Sequence, residues 1–218
     1  MTKILAVFDV DGVLVKGTTQ KFLAAYLFKN RKMSLPVFLR TSLWFLLYKV
    51  GLSRDTLVIR RVAYQTFRGW SEQDMQRIMA DFFNDEIRPR ISSEAVALVD
   101  EHRGKGHDVI LLSASLSAIV DLIGRHVKVD QVIATRLELK DGHYTGRISG
   151  EVPYGAQKAQ ALREFLQASG AYGDIIVYAD HISDAPLLEL VGKPVAVNPD
   201  EGLRAMAREK GWMIRDLL

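Results

Sequence analysis

Residues 8–15 read FDVDGVLV, and this stretch decides how the chain is organised. Phe8, its first residue, is the last residue of a largely apolar run from Lys3 to Phe8 that is typical of a buried strand. Asp9 therefore follows the carboxyl end of a strand, which is the edge where α/β folds place their sites. Asp11 lies two residues further on, and Gly12 lets the backbone turn sharply away. We therefore expect a functional site at this strand end.

The segment that follows, residues 16–88, shows helical patterns and no strand pattern. The predicted helices run from Thr18 to Asn30, Ser34 to Val50, Arg54 to Phe67 and Ser71 to Glu86. Ser71 precedes Asp74 by three residues, as in a helix N-cap. An insertion directly after the site-bearing strand would lie over the site, so we predict a helical cap.

Beyond Pro89 helices alternate with strands, which is the pattern of a parallel sheet covered by helices. Strands are predicted at 108–112, 131–134, 175–178 and 194–197, and Asp141-Gly142 predicts a β-hairpin. The predicted fold is α/β, a doubly wound Rossmann-like parallel sheet with a β-hairpin and an all-helical cap inserted after the first strand. Residues 1–15 and 89–218 would form the core domain, and residues 16–88 the cap domain.

Composition narrows the classes of function. The 218 residues are 48% hydrophobic with a net charge of +3, which is typical of a water-soluble globular protein and too weakly basic to indicate nucleic acid. The chain has no cysteine, so a metal ion must be held by oxygen or imidazole ligands. The first apolar run meets Asp9 too early for a signal peptide, so we predict a cytoplasmic protein. The oligomeric state is left open.

Two carboxylates after one strand suit phosphoryl transfer, because one can attack phosphorus while the other protonates the departing oxygen. Taken alone, Asp9 and Asp11 could equally well be acidic residues that form a turn or cap a helix. Ser113 follows the strand at 108–112, where its hydroxyl and the amides of Ala114 and Ser115 could bind an anion. Taken alone, a plain N-cap is the favoured interpretation of Ser113.

Three further charged residues lie near predicted strand or helix ends. Lys158 follows Gly155 in the first turn of a helix, where a cation opposes the helix dipole and so suggests a bound phosphoryl group. An ordinary surface lysine is the alternative. Asp180 and Asp184 follow the strand at 175–178, and one of them could simply be a helix cap.

The chain resembles the haloacid dehalogenase superfamily, specifically its phosphoserine-phosphatase-like subfamily IB with a helical cap. The resemblance rests on four motifs in order: FDVDGVLV, LLSAS, GAQK with Lys158, and YADHISD. It implies a magnesium-dependent phosphomonoester hydrolase that acts on a small-molecule phosphate through an aspartyl-phosphate intermediate.

The resemblance also implies residue roles that agree with the chemistry. Asp9 would be the nucleophile and Asp11 the general acid and base. Lys158 would neutralise phosphoryl charge, and Asp184 would orient Lys158 or a metal-bound water rather than bind the metal directly. The remaining implied roles are phosphoryl and substrate binding by Ser113, the Ala114 amide and Ser183, and Mg2+ binding by Asp9, the Asp11 carbonyl and Asp180.

Other functions stay open at this level. A phosphoserine phosphatase would offer an acid to the substrate ammonium near Thr18 and Thr19, and this chain has none there. A dehalogenase would not need Asp11 or Asp180. A protein of a different class, a non-catalytic phospho-aspartate signalling or binding protein, would not require the cap or Lys158.

The cap segment 35–52 is apolar on more than one face. We favour an interior cap helix; the alternative is a lipid-phosphate phosphatase that contacts the membrane peripherally through this segment, with Arg31, Lys32, Arg40 and Lys49 facing lipid phosphates. For Arg54, Arg60, Arg61 and Arg68 we favour a solvated helix face over a grip on an anionic substrate. His181 lies in the fourth motif without an assigned role, and the other histidines are expected at the surface.

Overall fold

The computed structural model describes residues 3–49, 56–170 and 172–217. Our predictions for Val50, Leu52 and Arg54 lie outside the described residues. The described residues form one sheet with helices on both faces, and the fold class is confirmed.

Within the described ranges, seven strands form this sheet in the order β4-β3-β2-β1-β5-β6-β7. Neighbouring strands are parallel except β3 and β4, which form the antiparallel hairpin. The strands are β1 (Ile4–Phe8), β2 (Asp108–Leu116), β3 (Gln131–Lys140), β4 (His143–Ser149), β5 (Asp174–Ala179), β6 (Lys193–Val197) and β7 (Met213–Arg215).

The α-helices of the described residues fall into a group before β2 and a group after it. The first group is α1 (Thr19–Lys29), α2 (Leu35–Lys49), α3 (Thr56–Tyr64), α4 (Glu72–Phe82) and α5 (Ser93–Gly104). The second group is α6 (Ser117–Val127), α7 (Ala156–Ser169), α8 (Ala185–Leu188) and α9 (Glu201–Lys210).

Strand β1 has a buried neighbour on each side, β2 and β5, so the strand end that carries Asp9 lies in the middle of the sheet. Alternate residues of β1 point to opposite faces. Ala6 and Phe8 join a hydrophobic cluster with α5, α6 and cap helices, whereas Leu5 and Val7 join one with α7, α8 and α9. Both faces are therefore dry, as a parallel sheet requires.

Two predicted strands differ from those in the structure, and one strand was not predicted. Strand β2 continues through Ser113 to Leu116 with a register shift, beyond the predicted strand end at residue 112. The strand predicted at 131–134 and the first arm of the predicted hairpin are one continuous strand, β3. Its first half pairs with β2 and its second half pairs with β4. The short edge strand β7 was not predicted; three residues are too few to show an alternating pattern.

The hairpin at Asp141-Gly142 is confirmed, with both residues at positive φ (50° and 74°). The N-cap of α4 is confirmed as well, because the Ser71 hydroxyl accepts a hydrogen bond from the Asp74 amide at 3.1 Å. Buried residues of α1 and α4 belong to the same hydrophobic cluster as Phe8. The division into a core domain and a cap domain at residues 16–88 stays a prediction.

Helix α2 corrects the prediction of an interior cap helix. Leu35, Leu39, Leu43 and Leu46 are each more than half exposed. Of the aromatic residues on this helix, Phe38 stacks on Phe28 with ring centroids 4.2 Å apart, so only one side of α2 is packed. The side chains of Phe45, Tyr48 and Lys49 lie outside the description. In the part of the chain that the structure describes, no helix is long and apolar enough to cross a bilayer.

His102 corrects the expectation that it lies at the surface. It is buried on α5, with one ring nitrogen 2.8 Å from the Tyr178 hydroxyl and the other 2.8 Å from Nδ1 of His107. Burial, together with the neighbouring His107, lowers the pKa of His102 to about 4. His102 therefore stays neutral at physiological pH and supports the β5 edge of the site region.

Candidate active site

Asp9, Lys158 and Asp184 form a buried charge cluster at the carboxyl ends of β1 and β5. The Lys158 ammonium donates to Asp9 Oδ2 at 2.7 Å and to Asp184 Oδ2 at 2.6 Å. Lys158 comes from the first turn of α7, and all three side chains are almost completely buried. The surface-lysine alternative for Lys158 is therefore wrong, because its charge is neutralised inside the protein.

The cluster carries an excess of negative charge. Asp9, Asp180 and Asp184 each present a carboxylate oxygen, and these oxygens lie within 4.8 Å of one another. Burial and the charge of Asp9 raise the pKa of Asp180 to about 8, and burial, partly opposed by Lys158, raises the pKa of Asp9 to about 6. Three carboxylates around one ammonium are an oxygen-rich, anionic donor set that suits a hard divalent cation such as Mg2+.

Gly12 allows the chain to pass close to this cluster. It has φ of +73°, and a Cβ at this position would lie 1.9 Å from Asp180 Oδ2. The Gly12 carbonyl is held by the Asn198 side-chain amide at 2.8 Å. Any side chain here would displace Asp180, so glycine is required both for the turn and for the approach.

Asp11 is directed to a different set of partners. Its Oδ1 accepts from the Thr19 amide at 2.8 Å, and its Oδ2 accepts from the hydroxyls of Thr19 and Ser115 at 3.2 and 3.1 Å. Thr19 is the first residue of α1, so Asp11 links the strand end to the cap. Burial raises the pKa of the Asp11 carboxyl to about 6 despite these hydrogen bonds. Asp11 can therefore hold or release a proton near neutral pH.

Ser113 and Ala114 line the same cavity, but not as a helix cap. Ser113 is buried inside β2 and its hydroxyl accepts from the Ser115 amide at 3.2 Å, so the N-cap interpretation and the free amide of Ser115 are both wrong. The Ala114 carbonyl accepts from Arg60 at 2.7 Å and from Thr135 at 2.8 Å. Strand β2 has a bulge between Ser113 and Leu116, next to the two residues that line the cavity.

Ser183 and His181 lie on the opposite wall. The Ser183 amide donates to His181 Nδ1 at 3.1 Å, and its hydroxyl lies 3.0 Å from the same nitrogen. His181 Nε2 lies 3.3 Å from Asp200 Oδ2. His181 therefore positions the turn that carries Ser183 and Asp184, and both His181 and Ser183 line the cavity.

The cavity has a volume of about 170 Å³, and its floor is the carboxylate cluster. Its roof comes from the cap, with Gln20 of α1, Trp44 of α2 and Arg60 of α3. Tyr154 lines it from the core side, and its ring lies 5.7 Å from the Arg60 guanidinium carbon. The space fits a small substrate held between the core and the cap.

Arg60 corrects the prediction of a solvated arginine face. It is buried at the cavity wall, and its Nε has no hydrogen-bond partner among the described residues. Arg61 and Arg68 are exposed, as predicted. Among the residues that the structure describes, no carboxylate lies within ion-pair distance of the Arg60 guanidinium.

The structure thus brings together the predicted residues Asp9, Asp11, Ser113, Ala114, Lys158, Asp180, Ser183 and Asp184. Sequence reasoning missed the contacts of Thr19, Ser115 and Arg60 with this group. Their contacts with Asp11 and Ala114 span 8 to 104 positions of the sequence, so no local spacing links them. The helix start at Thr18-Thr19, directly after the first motif, was the one signal that could have suggested Thr19.

Comparison with known proteins gives one family. The model of the haloacid dehalogenase-like hydrolases matches residues 6–189. The chain is similar to phosphoserine phosphatase SerB1 of Mycobacterium tuberculosis, with 32% identity over 97% of this chain and 70% of that protein. It is similar to histidinol-phosphatase of Neisseria meningitidis, with 29% identity over 97% of this chain and 98% of that protein.

A solved structure has the same architecture throughout. A crystal structure of a Bordetella pertussis protein of unknown function superposes with a TM-score of 0.92 and 29% identity, and it covers 100% of both chains. Because the match spans both chains completely, the cap elements and the sheet occur together in that protein as well.

Proposed function

This chain belongs to the haloacid dehalogenase-like hydrolases and is a phosphatase of that family, and we propose that it hydrolyses a small-molecule phosphate monoester through a phosphorylated Asp9. The observation that carries the proposal is the Asp9–Lys158–Asp184 cluster at the floor of a cavity of about 170 Å³. A carboxylate at the cavity floor can attack phosphorus, while the adjacent ammonium neutralises charge on the phosphoryl oxygens.

Asp11 is the group we assign to proton transfer. Its carboxyl lines the cavity, and burial raises its pKa to about 6. In the first step the Asp11 carboxyl gives its proton to the departing oxygen as the Asp9 oxygen bonds to phosphorus. In the second step the Asp11 carboxylate takes a proton from the water that attacks the phosphoryl group, and free Asp9 is regenerated.

Magnesium is the cation that we assign to the carboxylate cluster. Asp9 and Asp180 would hold it with the Asp11 backbone carbonyl, and Asp184 would keep Lys158 in place. When bound, the ion supplies charge neutralisation for the phosphoryl oxygens. Lys158 and the hydroxyl of Ser113 then contribute the protein's own share of that neutralisation.

Magnesium dependence gives the first test. We expect chelation to lower the rate at least about 100-fold, since the ion supplies several kcal/mol of charge stabilisation. Restoring Mg2+ should restore the rate. Asp180→Asn should raise the Mg2+ concentration for half-maximal activity by about 10-fold or more, because even supporting groups of metal ligands contribute that much. Asp141→Asn, which changes an exposed aspartate, is the control. Full activity in the presence of a chelator would contradict the metal assignment.

The cavity walls favour a substrate whose leaving group carries an additional negative charge over one whose leaving group carries a positive charge. The acids among its described lining residues are the four aspartates of the floor, whereas Lys21 and Arg60 lie on the cap side. Substrates with an ammonium, such as the phosphoserine and histidinol phosphate implied by the names of the relatives, would meet no carboxylate among the described residues on the cap side. We therefore propose a substrate that carries a second anionic group.

A matched substrate series with a variant at Arg60 tests this. We expect 3-phosphooxypropanoate, which is phosphoserine without the ammonium, to be hydrolysed with a higher kcat/KM than phosphoserine, and phosphoethanolamine to be the poorest of the three. Arg60→Gln should raise KM for 3-phosphooxypropanoate about 10-fold or more, the value of a hydrogen bond to a charged group. Exposed Arg61→Gln should leave KM unchanged. A preference for phosphoethanolamine would contradict the proposed leaving group.

A further inference from the structure

Helix α2 carries an exposed leucine face that the phosphatase chemistry does not use. Leu35, Leu39, Leu43 and Leu46 are between 53% and 58% exposed. At 3.6 residues per turn these four positions fall within about 80° of one another around the helix. Trp44, which lines the catalytic cavity, lies on the opposite side of the same helix. One face of α2 therefore contributes to the cavity wall, while the other presents a continuous apolar strip to solvent.

The chain segment that carries this leucine face is strongly basic. Between Asp11 and Asp55 the sequence contains eight basic residues and no acid. The eight are Lys16, Lys21, Lys29, Arg31, Lys32, Arg40, Lys49 and Arg54. Arg31 and Lys32 lie in the turn before α2, and Arg40 follows Leu39 directly. Lys29, Arg31, Lys32 and Arg40 are exposed and form no ion pair with any described residue.

We propose that the leucine face of α2 docks this phosphatase onto an anionic membrane surface. A helix in the plane of an interface buries its apolar side at the boundary of the acyl chains and places cations against lipid phosphates. Exposed leucines flanked by unpaired cations match that arrangement on both counts. The described part of α2 has 15 residues, fewer than the roughly 20 that span a bilayer, and the proposed docking places it along the membrane surface.

Charge favours lipid over a second copy of the chain. Pairing two leucine faces would bring two acid-free basic segments together, and like charges at an interface are unfavourable. An anionic bilayer instead attracts each lysine or arginine near its surface. Because Trp44 lies on the same helix, docking would place the cavity wall next to the lipid headgroups. This inference is independent of the catalytic assignments, since no leucine of the strip lines the cavity.

Vesicle flotation of the full chain tests the proposal. The vesicles are phosphatidylcholine alone, or phosphatidylcholine with about one third phosphatidylglycerol. We expect binding to the anionic vesicles, weak binding to the neutral ones, and release at high salt. Leu39→Ser/Leu43→Ser should lower the bound fraction about 10-fold or more, because two buried leucines are removed from the interface. Arg31→Glu/Lys32→Glu should weaken binding to anionic vesicles selectively.

Matched controls separate docking from folding and from catalysis. Leu139→Ser and Met213→Ser remove exposed apolar residues elsewhere and should leave vesicle binding unchanged. Circular dichroism and hydrolysis of p-nitrophenyl phosphate should be the same for Leu39→Ser/Leu43→Ser and the unmodified chain. The proposal is overturned if the unmodified chain ignores anionic vesicles, if the leucine variant still floats, or if light scattering shows a dimer that this variant dissociates.

Discussion

We expect Asp9→Asn to lower kcat by more than about 10⁴-fold, as losses of a catalytic nucleophile do. Asparagine keeps the shape of the side chain but lacks the carboxylate that attacks phosphorus. Substrate binding should be retained, since Lys158 keeps its 2.6 Å contact with Asp184. The phosphorylated protein, trapped by acid quenching and cleaved by hydroxylamine, should form with the unmodified chain and not with Asp9→Asn.

The same variant makes a prediction about stability against pH. Burial raises the pKa of Asp9 to about 6. A carboxyl with a raised pKa in the folded state contributes stability below its unfolded pKa near 3.8 and loses that contribution as the pH rises through about 6. In the presence of a chelator, Asp9→Asn should therefore be more resistant to urea than the unmodified chain at pH 7, and this advantage should shrink toward pH 4.

Asp141→Asn is the control for both measurements. Asp141 is exposed at the hairpin with φ of 50°, a conformation that asparagine adopts readily. Hydrolysis by Asp9→Asn within 10-fold of the unmodified chain would show that another group attacks phosphorus. If a phosphorylated form of Asp9→Asn can be trapped, the same conclusion follows. The chain would still belong to the family, because membership does not depend on the identity of the nucleophile.

Local sequence predicted the site because its groups follow regular elements. Asp9 and Asp180 each come directly after a buried strand, and parallel strands bring their carboxyl ends to one edge. Lys158 could likewise be placed from local sequence, because it lies in the first turn of a predicted helix. These residues needed only the correct order of elements, which hydrophobic periodicity provides.

The contacts between the cap and the core could not be predicted in that way. Arg60 and Ala114 are 54 residues apart, and their hydrogen bond depends on how α3 packs over β2. Which side of α2 is buried also depends on tertiary packing. An apolar helix has the same pattern whether its outer face meets protein, lipid or water. The strand end at Leu116 was missed because a bulge, which has no periodic signature, continues β2 beyond Ser113.

The second large effect that we expect comes from Lys158→Met. Lys158 is the one cation paired with Asp9 and Asp184 among the described residues, and its ammonium lies 2.7 and 2.6 Å from them. Burial alone would lower the pKa of Lys158, but the charges of Asp184 and Asp9 raise it above the usual lysine range. Methionine fills a similar volume and leaves two buried carboxylates facing each other. Breaking a buried pair in this way costs about 3–5 kcal/mol of the free energy of unfolding.

An exposed ion pair provides the control for that figure. Lys193 and Asp174 are 2.7 Å apart, but about half of each side chain is exposed. Lys193→Met should therefore cost less than about 1 kcal/mol in urea unfolding with a chelator present. If Lys158→Met and Lys193→Met have the same urea midpoint, the cluster around Lys158 does not stabilise the fold.

A double variant separates the structural effect of Lys158 from its catalytic effect. Lys158→Met/Asp184→Asn removes one buried carboxylate together with the ammonium, so the remaining repulsion falls and much of the lost stability should return. The hydrolysis rate should stay low, because the ammonium of Lys158 beside Asp9 is still missing and cannot neutralise charge on the phosphoryl oxygens. We expect a loss in kcat of about 10²-fold or more for both variants, the cost of removing one stabilising group of the transition state. Recovery of the rate together with stability would instead mean that Lys158 acts only by keeping the site folded.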